Sequence, residues 1–174
     1  MLAYKLVKDA LIVSPIDGTW KVAAEAGSLK VGPTSGSGDW WSISDAQVAE
    51  RACFFDDEYV FSAGGIFNNI LGTETWLEKW QGAPTDACGA PIAPHDSSIS
   101  ASFVYDDTSN TITLNGTGSY LGIPKANNAG ELSDIADTPD SIVYNVTLSN
   151  NNTEMEIIVE AGSGVFWTYK LLKQ

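Results

Sequence analysis

The sequence predicts an all-β fold of about eight antiparallel strands. They are wound as an up-and-down barrel, with a jelly-roll β-sandwich as the alternative, and one short helix lies near residues 44–52. Three observations predict it. Apolar and polar residues alternate with a period of two, most clearly in the second half of the chain. Turn residues punctuate these runs at hairpin spacing. Helical patterns do not alternate with the strands, which excludes a parallel α/β architecture.

Gly18-Thr19-Trp20-Lys21-Val22 opens the first strand. Ser44, with Gln47 three residues on, has the spacing of a capping box and starts the helix. The stretch DEYVFSAGGIFNNIL reads as a hairpin closed by Ala63-Gly64-Gly65. TETWLEKWQG fits two periods. As a strand it puts Glu74, Trp76, Glu78 and Trp80 on one face, and as a helix ending at Gly82 it groups Trp76 with Trp80. Either reading keeps the two tryptophans together.

Phe103 with Tyr105, then Ile112 with Leu114, flank the polar turn Asp106-Asp107-Thr108-Ser109-Asn110. Ile142, Tyr144, Val146 and Leu148 share one face. Asn150–Asn152 turn the chain, and Met155, Ile157 and Val159 face opposite Glu154, Glu156 and Glu160. After Gly162-Ser163-Gly164, the residues Val165, Trp167, Tyr169 and Leu171 alternate again. Strands therefore begin near residues 19, 58, 66, 101, 111, 142, 154 and 165, a meander that suits a barrel or a sandwich.

A chain of 174 residues fits one domain with a real core. The net charge of -13, from 9 basic and 22 acidic residues, excludes nucleic acid and an anionic membrane as partners, because both need clustered lysine and arginine. No stretch approaches the roughly 20 apolar residues of a transmembrane helix. Residues 1–16 lack the apolar centre of a signal peptide, so any export signal is expected upstream. Frequent Ser, Thr, Asn and Gly with few charges suit a secreted or cell-surface protein, extracellular or periplasmic. Cys53 and Cys88 are an even pair without a CxxC, beside a single histidine, which favours a disulfide over a zinc site.

The phrase YKLVKD at residues 4–9 returns as YKLLKQ at 169–174. The simplest account is a tandem repeat. Residues 1–9 would be the last strand of a preceding module, 10–17 a connector and 18–174 a single β-domain, with adjacent modules of the same longer chain as partners.

Gly18-Thr19-Trp20 ahead of a meander of hairpins resembles the GxW opening of lipocalin-like barrels, whose tryptophan plugs one barrel end. The arginine that packs on that tryptophan in the family is missing, since Arg51 is the only arginine, and Lys170 or Lys173 would have to substitute. The stretches GTWKVAAEAGSLKVGP with WW, DDEYVFSAGGIF, TWLEKWQGAPTDACGAPIAPHD and TLNGTGSYLGIPKA are similar to accessory modules of secreted polysaccharide-degrading proteins of marine bacteria. Those modules stand beside laminarinase-like hydrolases. The resemblance implies a carbohydrate-binding module that touches polysaccharide or oligosaccharide.

Six tryptophans bear on that chemistry. Trp20 and Trp167, in alternating strands, are expected in the core. Trp40 and Trp41 follow a Gly-rich loop, and Trp76 with Trp80 forms a second pair; these four are the candidate glycan-stacking residues, because an exposed indole offers a flat apolar face and one donor to a pyranose ring. Packing of both pairs beneath loops is the structural alternative. No catalytic residue is expected. Glu74 and Glu78 lack the Glu-x-Asp-x-x-Glu signature of laminarinase-like enzymes and read as solvated, and His95 lies in a Pro-rich loop without a GxSxG elbow. No cofactor is expected, although Asp56-Asp57-Glu58 and Asp106-Asp107 would supply oxygens to a structural calcium. Three other readings remain open at this point: a barrel holding a small apolar ligand, a structural spacer, or a fragment of a glycoside hydrolase.

Overall fold

The computed structural model describes residues 13–174. In chain order the elements are β1 (Gly18–Val22), β2 (Leu29–Gly32), β3 (Trp41–Ser42), α1 (Asp45–Glu50), α2 (Ala52–Phe55), β4 (Glu58–Ser62), β5 (Ile66–Ile70), β6 (Thr75–Leu77), β7 (Ala87–Gly89), β8 (Ala101–Asp106), β9 (Thr111–Asn115), β10 (Ala126–Asn127), β11 (Gly130–Glu131), β12 (Ser141–Ser149), β13 (Glu154–Glu160) and β14 (Phe166–Lys173). Eight of them, β1, β4, β5, β8, β9, β12, β13 and β14, pair antiparallel in sequence order, and β14 closes on β1. The fold is the closed up-and-down barrel of the two architectures the sequence allowed, not the sandwich. The tandem-module reading of residues 1–9 lies outside the described residues.

Closure leaves the barrel with no free edge, which is the physical return on a complete meander. β14 is long enough to carry two partners on one side. Its C-terminal half pairs with β1 (Val22 opposite Leu171) and its N-terminal half with β2 (Leu29 opposite Tyr169). Between β1 and β2 the chain bends outward through residues 23–28 and is pinned by backbone bonds on both sides of Lys170: Ala23 N–H donates to the Lys170 carbonyl, and Lys170 N–H to that of Ser28.

Alternation decides what fills the barrel. Trp20, Tyr59, Phe61, Phe67, Ile112, Leu114, Tyr144, Met155, Ile157, Tyr169 and Leu171 point inward and are buried. The hairpins at one end are short: residues 63–65, 107–110 and 150–153. Asn110 and Asn150–Asn152 take positive φ there, which asparagine tolerates better than most residues. This end is closed by Trp20, whose indole N–H donates to the Ile16 carbonyl at 2.7 Å. The Lys173 ammonium stands 5.3 Å from the Trp20 ring centroid, a cation over the ring that closes this end.

The long excursions, residues 23–57, 71–100 and 116–140, all leave the opposite end. They build a cap there. α1 starts with the predicted capping box: Ser44 Oγ accepts from Gln47 N–H, and Gln47 Oε1 accepts from Ser44 N–H. The helical segment is broken after Glu50 into two short pieces. Cys53 of α2 and Cys88 of β7 form the predicted disulfide, closing a separation of 35 residues.

Candidate functional site

The third excursion does more than cover the barrel end. Residues Tyr120–Ile123 are buried in it, and three inward-pointing side chains hold their backbone: Tyr59 Oη donates to the Gly122 carbonyl (3.1 Å), Asn69 Nδ2 to the Tyr120 carbonyl (2.9 Å), and Leu121 N–H to Tyr144 Oη (3.0 Å). Two tyrosines and an asparagine inside an apolar barrel are thereby satisfied by a plug of main chain. The mouth that a small-molecule barrel would leave open is occupied by this segment.

Beside the plug, the four candidate tryptophans separate. Trp40, just ahead of the edge strand β3, leaves 57% of its surface exposed. Trp41 is half-buried, its ring 6.2 Å from that of Trp167. Trp76 is 6% exposed and belongs to the core, contrary to the expectation of a surface platform. It lies on β6 directly opposite Cys88, where the disulfide and α2 cover it. Trp80 is half-buried on a 3-10 turn (Lys79–Gln81); its indole N–H donates to Glu78 Oε2 at 2.9 Å, and its ring meets His95 edge-on at 5.6 Å. The expectation that Trp76 and Trp80 stay together fails. The segment is neither a continuous strand nor a helix, because β6 ends at Leu77 and a tight turn follows, sending the two rings to different neighbours.

Arg51, at the break between the two helices, joins the pairs. Its guanidinium lies 5.5 Å from the Trp41 ring and 4.4 Å from the Trp76 ring, between the two. Lys125 continues the array: its ammonium is 4.9 Å from the Trp167 ring and 3.4 Å from Glu78, while Trp167 donates its indole N–H to Glu131 at 2.6 Å. The result is a linked cluster of tryptophans, cations and carboxylates at the capped end. Arg51 was legible only as the sole arginine, and nothing in the spacing of Lys125 or Glu131 pointed here.

The acids once weighed for catalysis or metal do not converge. Glu74 is exposed, Glu78 is tied to Lys125 and Trp80, and Glu58 pairs with Lys21 at 3.2 Å. Asp106 is used within the turn: its Oδ1 accepts from the N–H groups of Thr108 and Ser109, and its Oδ2 from the Ser109 hydroxyl. Among the described residues no group of three or more His, Cys, Asp or Glu side chains is placed to share a metal ion.

Two buried titratable groups sit under the cap. Asp57 accepts from the Thr75 hydroxyl at 2.7 Å, and burial pushes its carboxyl up to about 8, with Thr75 partly opposing. Burial lowers His95 to about 4, against a small upward pull from Asp96. The signs differ. A carboxyl held protonated by the fold stabilises at low pH and loses that contribution as pH climbs toward 8. An imidazole held neutral stabilises above its ordinary 6.5 and loses the contribution as pH falls toward 4. Between about 4 and 6.5 the two slopes oppose each other, and from 6.5 to 8 only that of Asp57 acts. Stability should therefore drop by about 2 kcal/mol over that last interval. Urea unfolding of the wild type and of Asp57→Asn across it checks this: the substitution should flatten the decline, and an equal decline in both proteins would exclude Asp57 as its source.

A scan against protein-family models finds no match for the chain, and a search of curated proteins finds none either. The functional reading therefore rests on the residues at this end of the barrel.

Proposed function

We propose that the domain is a non-catalytic glycan-binding module of a secreted or cell-surface protein, working beside adjacent modules of a longer chain that degrades or captures polysaccharide. The observation that carries this reading is Trp40. More than half exposed at the edge of a Gly-rich loop, this indole presents a flat apolar face and one N–H donor, the shape and chemistry that match the C–H face of a pyranose ring. Its neighbour Trp41 is fixed from behind by Arg51 and Trp167, so the loop's anchor is rigid while its outer indole is presented. A sugar ring would stack on Trp40, and little ordering entropy would be spent on the platform. The half-buried Trp80, with Glu78 and Lys125 beside it, supplies further polar groups at the same end of the barrel. The Cys53–Cys88 bridge fits an oxidising compartment, and the acidic surface fits a partner without phosphate.

The test is affinity electrophoresis in gels containing β-glucan and other marine polysaccharides. The wild-type domain should be retarded in at least one. Trp40→Ala should abolish that retardation while changing stability by no more than about 0.5 kcal/mol, since an exposed side chain contributes little packing. Absence of retardation of the wild type in every gel, or retardation unaffected by Trp40→Ala, defeats the reading.

A further inference from the structure

Trp40 is the one aromatic side chain among the described residues that is mainly exposed, at 57%. The two half-buried indoles at the same end are engaged by the protein. Trp41 packs against Trp167 with the Arg51 guanidinium over it, and Trp80 gives its indole N–H to Glu78 and meets His95 edge-on. A sugar chain arriving at this end therefore finds one free indole to stack on, not a row. The loop that carries it is seated on the sheet. Ser37 fills the space over Gly32 that a Cβ would need, Gly38 lies close over Lys30 and Ser42, and the N–H groups of Ser37 and Trp40 donate to the carbonyls of Thr34 and Val31. The single platform is thus held in place before any ligand comes.

Charge narrows the ligand further. Residues 29–42, which comprise β2, the loop and β3, carry one lysine and one aspartate, Lys30 and Asp39. Arg51, the one arginine of the chain, is taken up between Trp41 and Trp76. The whole chain has 9 basic against 22 acidic residues, a net charge of -13. A sulfated or uronic-acid polysaccharide is a polyanion. It would meet a repulsive field, with no cluster of cations on this loop to offset it. Thr34, Ser35 and Ser42, by contrast, are exposed on the loop and on β3, and their hydroxyls both donate and accept, as sugar hydroxyls do.

We propose, resting on the glycan reading above, that the Trp40 site takes an uncharged, soluble glycan chain and engages it through a single sugar ring. A face of packed, insoluble chains calls for several aromatic rings presented in one plane, which a lone projecting indole does not supply. A free chain offers the stacking face of each of its rings in turn. One stacked ring with one or two hydrogen bonds makes a weak site, on the order of millimolar. Its strength is set by one ring, so a longer oligosaccharide gains only in proportion to the number of equivalent rings it offers.

The experiment is an NMR titration of the full chain, followed at the Trp40 indole N–H, with the disaccharide, tetrasaccharide and hexasaccharide of the β-1,3-, β-1,4- and α-1,4-glucan series. It is paired with pulldown on microcrystalline cellulose and chitin, and with affinity gels containing alginate or dextran sulfate. At least one neutral series should shift the Trp40 indole saturably, with affinity rising from disaccharide to hexasaccharide only in proportion to the rings offered. That affinity should be the same in low and high salt, because no ion pair is formed. The domain should stay in the supernatant of the insoluble polymers and run freely through the anionic gels. A hexasaccharide gain about tenfold beyond proportion, or one that Trp80→Ala removes, would show an extended site and overturn the single ring. Retention on cellulose or chitin that Trp40→Ala abolishes would overturn the soluble chain, and retardation by a polyanion that weakens with salt would overturn the neutral class. Each of these three results leaves the glycan reading standing. No shift with any oligosaccharide and no retention on any polysaccharide, neutral or anionic, would defeat the glycan reading itself and this inference with it.

Discussion

Trp76→Ala should destabilise the domain by about 3–5 kcal/mol, the range for removing a large buried aromatic. The indole is 6% exposed, sits across the β6–β7 ladder from Cys88 and receives the Arg51 guanidinium at 4.4 Å. Alanine would leave a cavity beneath a cross-linked cap that cannot collapse freely, because Cys53–Cys88 pins both sides of it. It would also strip Arg51 of the nearer of its two rings, leaving a cation whose Nε is already buried without a partner. Denaturant unfolding of the oxidised protein measures the effect, with Trp40→Ala as the comparison. A loss below about 1 kcal/mol would mean that Trp76 is not a packing residue and would reopen its assignment to the surface.

That contrast shows where sequence patterns stop. All eight barrel strands were legible, because most bury one face only and because four of the seven connections between them are short turns whose residues are themselves diagnostic, as at Ala63-Gly64-Gly65 and Asn150–Asn152. The capping box at Ser44 and Gln47 and the Cys53–Cys88 pairing were legible for similar local reasons. The cap was not. Two- and three-residue strands such as β3, β6 and β7 are too short for a period to register, so Trp41 and Trp76 looked alike although one lies at the rim and the other underneath. Residues 116–140 carry no alternation because their burial is set by the barrel that receives them.

Gly122→Ala is expected to cost about 2–5 kcal/mol, summing the penalty of a left-handed conformation for a residue with a Cβ and that of overpacking a filled core. Gly122 has φ +74°, and a Cβ built there would come within 2.1, 2.4 and 2.5 Å of three Tyr169 ring carbons, far inside van der Waals distance. Tyr169 cannot yield easily. It is fully buried on β14, between β13 and β2. The Gly122 carbonyl, meanwhile, is the acceptor of the Tyr59 hydroxyl, so a plug that backs out to relieve the clash leaves that hydroxyl unpartnered inside the barrel. The plug therefore either stays, with strain in Tyr169, or withdraws, exposing the apolar interior. Thermal unfolding distinguishes a large loss from none, and binding of a fluorescent apolar dye separates the two routes. A destabilised domain that binds no dye has kept the plug. One that binds dye has been turned into an open barrel, the small-ligand architecture that residues Tyr120–Ile123 prevent in the wild type. A variant as stable as the wild type would show that this segment does not pack into the barrel mouth, and with it the closed-barrel account of the capped end would fall.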